Sequence, residues 1–159
     1  MYWFLRKSPV KDLQEGRVAL VEGRVVAGSE ITVNGSGTSC VYYDRLEEAY
    51  ETPARGRGRA LWIPKGYERR CAGFFVEDAT GRVWIAQGHE GLEVNGGARE
   101  HGRLGKKGTR RYTAQLLRVG DKVRVRGLVD RPKAAEPTGT KVIRVDAKGR
   151  LVVRVKEKS

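Results

Sequence analysis

The sequence predicts an all-β domain, a single small β-barrel or two-sheet sandwich of short antiparallel strands with at most one or two short helices. Three observations predict it. Apolar residues, many of them β-branched, recur at every second position rather than at every third or fourth. Turns containing glycine cut these runs at short intervals, and the chain carries 21 glycines. Its 159 residues hold one modest core, and closing the sheet is how short strands bury a face without long open edges.

The elements follow in order. Val18 to Val26 alternates up to the break at Gly28, and Ile31 and Val33 lead into the turn Asn34-Gly35-Ser36-Gly37. A strand opens at Cys40-Val41-Tyr42-Tyr43 and runs on through Arg45 toward Tyr50, where Pro53 and Arg55-Gly56-Arg57-Gly58-Arg59 interrupt any ladder. Phe74-Phe75-Val76-Glu77 and Arg82-Val83-Trp84-Ile85 flank Asp78-Ala79-Thr80-Gly81 as the clearest hairpin. Tyr112 to Leu117 is the one helix candidate. Lys122 to Val129 alternates with Val123, Val125 and Gly127 on one face, so Arg124 and Arg126 face the other way. Lys141 to Val145 and Leu151 to Val155 flank Asp146-Ala147-Lys148-Gly149 as a last pair.

Charge is distributed unevenly. Residues 1–54 carry six basic and eight acidic side chains, whereas the rest carry 26 basic and 11 acidic ones, net +15. Such asymmetry is the footprint of an acidic partner, or else of solvated, solubilising loops. Two Gly-rich segments, 55–70 and 99–111, read as basic loops and hold the candidate contact residues. These are Arg55, Arg57, Arg59, Trp62, Lys65, Tyr67, Arg69 and Arg70 in the first, and Arg99, Arg103, Lys106, Lys107, Arg110 and Arg111 in the second. Arginine forks pair with phosphate, and aromatic rings beside them stack on unpaired bases, as in oligonucleotide-binding (OB) barrels. The same loops also suit anionic headgroups, or Trp62 and Tyr67 belong to the core.

The N-terminus, Met1-Tyr2-Trp3-Phe4-Leu5 before Arg6-Lys7, has the aromatic and basic character of a bilayer interface. It is too short to span and no small-residue cleavage site follows, so secretion is not expected. Residues 1–7 read as an interfacial anchor, the remnant of a span, or an ordinary first strand, and residues 8–159 as one β domain. Tyr2, Trp3 and Phe4 are the candidate membrane contacts.

Gly16-Arg17-Val18 with Val21-Glu22-Gly23-Arg24-Val25, Cys40-Val41-Tyr42-Tyr43 with Glu47-Glu48, Phe74 to Val83, and Tyr112, Leu117 and Gly120 to Gly127 occur in an order and spacing that resembles the GIDE, or "beside a membrane" (BAM), domain. That domain is found in Mulan-type mitochondrial ubiquitin ligases and in bacterial and archaeal membrane proteins. The resemblance covers roughly residues 8–130 and implies a membrane-proximal β module; the strand order reads as an OB-like barrel, and the two cysteines and absent cleavage site read as intracellular, at the cytoplasmic face of a membrane. The ligases also carry a RING with eight zinc ligands, whereas this chain offers Cys40, Cys71, His89 and His101 and no paired CxxC, so ligase activity is not expected. Thr113, Ala114 and Gln115 stand where the family usually has an acid after the aromatic matching Tyr112, and Arg124 and Arg126 replace commoner neutral residues.

No nucleophile with an oriented base, phosphate loop or dinucleotide fingerprint is present, so neither catalysis nor a cofactor or metal is expected. Cys40 reads as a small core residue; a Cys40–Cys71 bridge would need the fold to bring the two together. The expected function is a non-catalytic GIDE-like module that engages a protein partner or an anionic lipid surface through its basic loops. The alternative is a module that binds single-stranded DNA or RNA.

Overall fold

The computed structural model describes residues 5–52, 58–88, 90–105 and 108–156. Among the described residues it is all-β, with one short 3-10 turn at Val10–Asp12. The strands are β1 (Val18–Ala27), β2 (Ile31–Thr32), β3 (Ser39–Cys40), β4 (Tyr42–Glu51), β5 (Leu61–Cys71), β6 (Phe74–Asp78) and β7 (Gly81–Ile85). They continue as β8 (Leu92–Asn95), β9 (Ala98–Leu104), β10 (Arg110–Leu117), β11 (Lys122–Asp130), β12 (Val142–Arg144) and β13 (Leu151–Val155).

Five strands close a barrel in the order β1-β6-β7-β12-β11, with β11 returning to β1. Alternation sets the register. Val21 lies opposite Val125, Val25 opposite Val76, and Val76 opposite Val83, and all five are fully buried in the barrel. Arg124 and Arg126 point outward between the buried Val123, Val125 and Gly127, as the periodicity of β11 predicts. The hairpin around Asp78 also forms as expected: the carboxylate accepts from Thr80 and Gly81 within the turn and from the Val10 N–H at 2.9 Å, which ties the 3-10 turn to the barrel.

Four sequence expectations are corrected. Tyr112–Leu117 is not helical: Tyr112, Ala114 and Leu116 are buried while Thr113 is exposed, a period of two, and the segment pairs with β4 on one side and β9 on the other. The described parts of the two basic segments are mostly strand, because β5 finds β4 as a partner and β9 finds β10. The last two strands do not pair with each other. They lie end to end along one edge of β11, β12 against Leu128–Asp130 and β13 against Val123–Arg126, so Asp146–Gly149 joins neighbours on a shared edge. Nor is the pairing purely antiparallel, since β12 runs parallel to β7 and β13 parallel to β8.

A second sheet, ordered β5-β4-β10-β9, extends from one end of the barrel. Successive residues of β4 belong to different cores: Tyr42 (1% exposed) packs with the barrel interior, and Tyr43 (0%) packs with Val33, Cys40, Tyr112 and Leu116. The small β2–β3 hairpin supplies Val33 and Cys40 to this second core, which covers one face of the four-stranded sheet. On its other face Tyr67 and Tyr50 are exposed, whereas toward the barrel Arg69 and Gln115 donate to the carbonyls of Leu92, Val94 and Gly96. Cys40 and Cys71 lie in different cores and are both free thiols.

Candidate binding face on the four-stranded sheet

The open face is read from the ladder, since directly paired residues share a side. Tyr42 faces the barrel core, so Asp44, Leu46, Glu48 and Tyr50 follow it on this side of β4. Their partners place Arg69, Tyr67, Pro64 and Trp62 of β5 on the same side. Across the other edge of β4, Gln115, Thr113 and Arg111 of β10 lie opposite Asp44, Leu46 and Glu48, and Arg99, His101 and Arg103 of β9 continue the rows. Aromatic residues therefore line the β5–β4 side and cations the β9 side. Two strand spacings, about 10 Å, separate the two columns.

The aromatic side is held by neighbours. The Trp62 ring lies 5.3 Å from that of Tyr50, and the guanidinium carbons of Arg111 and Arg103 lie over it at 4.1 and 4.7 Å. Arg111 also donates from Nε to Glu48 at 2.9 Å. Tyr67 donates its hydroxyl to Asp44 at 2.7 Å and leaves 64% of its surface exposed; Tyr50 leaves 52%. Loss of solvent around the hydroxyl and its bond to the Asp44 carboxylate push the Tyr67 phenol up to about 12, so it stays a neutral donor. The edges differ. Pro64 and the register shift beside it, where Lys65 is the extra residue, blunt β5. Among the described residues, no strand pairs with the outer edge of β9.

Of the candidate contacts, Trp62, Tyr67, Arg69, Arg99, Arg103 and Arg111 come together on this face. Arg69 is partly structural, since it donates to the Leu92 carbonyl at 2.7 Å and to the Tyr42 hydroxyl at 3.2 Å. Arg70 and Arg110 fall on the opposite side, opposite Tyr43 and Ala49, and Arg110 pairs with Glu47 at 2.6 Å. Lys65 pairs with Glu51 at 2.7 Å, and Arg59 is exposed just ahead of β5. Arg55, Arg57, Lys106 and Lys107 lie outside the described residues, as do Tyr2, Trp3, Phe4 and His89. Trp62 and Tyr67 are not core residues. Sequence reasoning missed Tyr50 and His101, although the parity of β4 counted from Tyr42 points Tyr50 to the same side.

Among the described residues, no three His, Cys, Asp or Glu side chains are grouped to hold a metal ion, and no helix is long and apolar enough to cross a membrane. Compared with known proteins, the chain matches no family model, no curated protein and no solved structure.

Proposed function

We propose that the chain is a non-catalytic binding module that holds an anionic macromolecule against the open face of the four-stranded sheet. The observation that carries this reading is the alignment of Arg99, Arg103 and Arg111 beside Trp62, Tyr50 and Tyr67 on one face. The resemblance to the GIDE domain supports a position beside a membrane, with residues 1–7 as the interfacial segment. The cations sit on paired strands rather than flexible loops, which favours an acidic protein surface over mobile headgroups.

A second reading, single-stranded nucleic acid, is favoured by the exposure of Tyr50 and Tyr67. Bases stacked on that side would leave their phosphates toward the arginines of β9 and β10. One experiment separates the readings: binding of a labelled oligothymidine across a salt series, with polyglutamate and phosphatidylglycerol vesicles as competitors. Competition by polyglutamate and a weak dependence on Trp62→Ala or Tyr67→Ala support the protein-binding reading. Tight, salt-steep binding lost in those variants makes the chain a nucleic-acid binder. If no probe binds, or if Arg99→Ala with Arg103→Ala leaves binding unchanged, the face is not a site.

A further inference from the structure

β8, β5 and β9 end the two larger sheets, and the chain treats the three edges differently. On β5, Pro64 and the extra residue Lys65 interrupt the ladder. Along β8 and just beyond it, the carbonyls of Leu92, Val94 and Gly96 accept from the side chains of Arg69 and Gln115. β9 has neither device. Its seven residues pair with β10 in unbroken register, and among the described residues no strand meets its outer edge.

The direction of the β9 backbone groups follows from the ladder. The Tyr50 N–H donates to the Thr109 carbonyl at 2.7 Å, which turns the odd-numbered groups of this strand toward β4 and the even-numbered groups of β10 toward β9. Register places Ala98, Glu100, Gly102 and Leu104 opposite those even-numbered residues. The N–H and C=O groups of Arg99, His101 and Arg103 therefore point to the outer edge, where among the described residues no strand pairs with them. The side chains of the same three residues are exposed on the face that carries Trp62. The acid of this strand, Glu100, lies on the other face, where the hydroxyls of Ser36 and Thr38 donate to it.

We propose that β9 receives an extended acidic segment of a partner protein as a fifth strand of this sheet. The inference rests on the reading of this face as a site for an acidic protein and specifies how the partner is held. An added strand would pair its backbone with Arg99, His101 and Arg103, and carboxylates four residues apart in it would face Arg99 and Arg103. The residues between would turn toward the half-buried Ala98 and Leu104, which suits apolar side chains. A second copy of this chain fits poorly, because pairing two β9 strands antiparallel about His101 sets Arg99 opposite Arg103 twice. Nucleic acid has no peptide groups to continue the ladder.

The test uses the full chain and a terminally blocked peptide that alternates glutamate with valine. Amide exchange followed by NMR should slow at Arg99, His101 and Arg103 when the peptide binds and stay unchanged at Glu100 and Gly102, which already bond to β10. Two N-methylated peptides, one methylated on every glutamate and one on every valine, keep the charge and remove alternate donors. One of them should lose at least tenfold in affinity and the other should bind like the parent. His101→Pro removes an outward N–H without touching the bonds to β10, and should also lose at least tenfold; its thermal midpoint shows whether the fold is kept, and the methylated peptides test the unaltered protein in any case. Strand addition is overturned if both methylated peptides bind like the parent, if none of the three amides slows, if a folded His101→Pro binds normally, or if polyglutamate binds and the peptide does not. In those cases the acidic-surface reading still stands. If neither polyglutamate nor the peptide binds, both fail.

Discussion

The guanidinium carbon of Arg111 lies 4.1 Å from the centroid of the Trp62 ring, while its Nε donates to Glu48 at 2.9 Å. The two residues come from β10 and β5, which do not pair; β4 lies between them. Trp62 thus reaches across a strand to cations that the ladder alone would keep apart. An exposed cation–π contact is worth about 0.5–1 kcal/mol, and Trp62 makes two, with Arg111 and Arg103. Trp62→Ala should lower the unfolding free energy by about 1–2 kcal/mol, with Trp62→Phe in between, as read from urea denaturation midpoints.

Gly127 is a packing requirement of the barrel. A Cβ there would meet Ile143 Cγ2 at 2.5 Å, the Arg144 carbonyl oxygen at 2.6 Å and Leu151 Cδ1 at 2.8 Å, where β11 carries β12 and β13 on one edge. Gly127→Ala should destabilise by about 1–3 kcal/mol, as overpacking does. The thermal midpoint would fall, whereas the same substitution at Gly66, whose nearest atoms stand at 3.9 Å, should leave it nearly unchanged.

Acid should weaken the fold through Glu22. The ammonium groups of Lys156 and Lys7, which donate to it, hold its carboxyl down from the ordinary 4.5 to about 2. The folded value is below the unfolded one, so the contribution is complete at neutral pH and is lost as the pH falls from about 4.5 to about 2. Glu136, held down by the Arg144 guanidinium that donates to it, acts in the same direction. Urea midpoints measured from pH 7 to pH 2 should fall through this window, and Glu22→Gln should be less stable at pH 7 with a flatter acid slope.

Both thiols should resist modification. Burial raises them: Cys40, 0% exposed, reaches about 11, and Cys71 is shifted in the same direction. A disulfide-exchange reagent at pH 7.5 should leave the native protein unlabelled and titrate two thiols after denaturation. Rapid native labelling would contradict the packing of the second core.

Asp146 organises the turn between β12 and β13. It accepts from Arg126 at 2.8 Å and from the backbone N–H groups of Lys148 and Arg150 at 2.9 and 3.0 Å. Hydrogen bonds to a charged group are worth about 1.5–3 kcal/mol. Asp146→Ala should lose at least that much, and Asp146→Asn less, when the variants are compared by chemical denaturation.

The outward direction of Arg124 and Arg126, the Asp78 hairpin and the all-β class were readable from local pattern, because alternation and turn chemistry depend on neighbours in the chain. The open face was half readable. Trp62, Tyr67 and the arginines were recognised by type, but as loop residues, because glycine and like charge depress strand propensity when no partner is in view. Pairing with β4 and β10 overrides that preference.

Sequence by itself determined that this chain closes one small β core and concentrates positive charge after residue 54, since period, glycine spacing and composition are local quantities. Only the tertiary structure decided which cations share a face. Arg111 lies with Trp62 while its neighbour Arg110 lies with Glu47 on the other side, and Arg124 meets Arg154 although 29 residues intervene in the chain. The reason is register. A shift of one residue in any ladder sends every side chain to the opposite face, and register is set by the burial of both cores together.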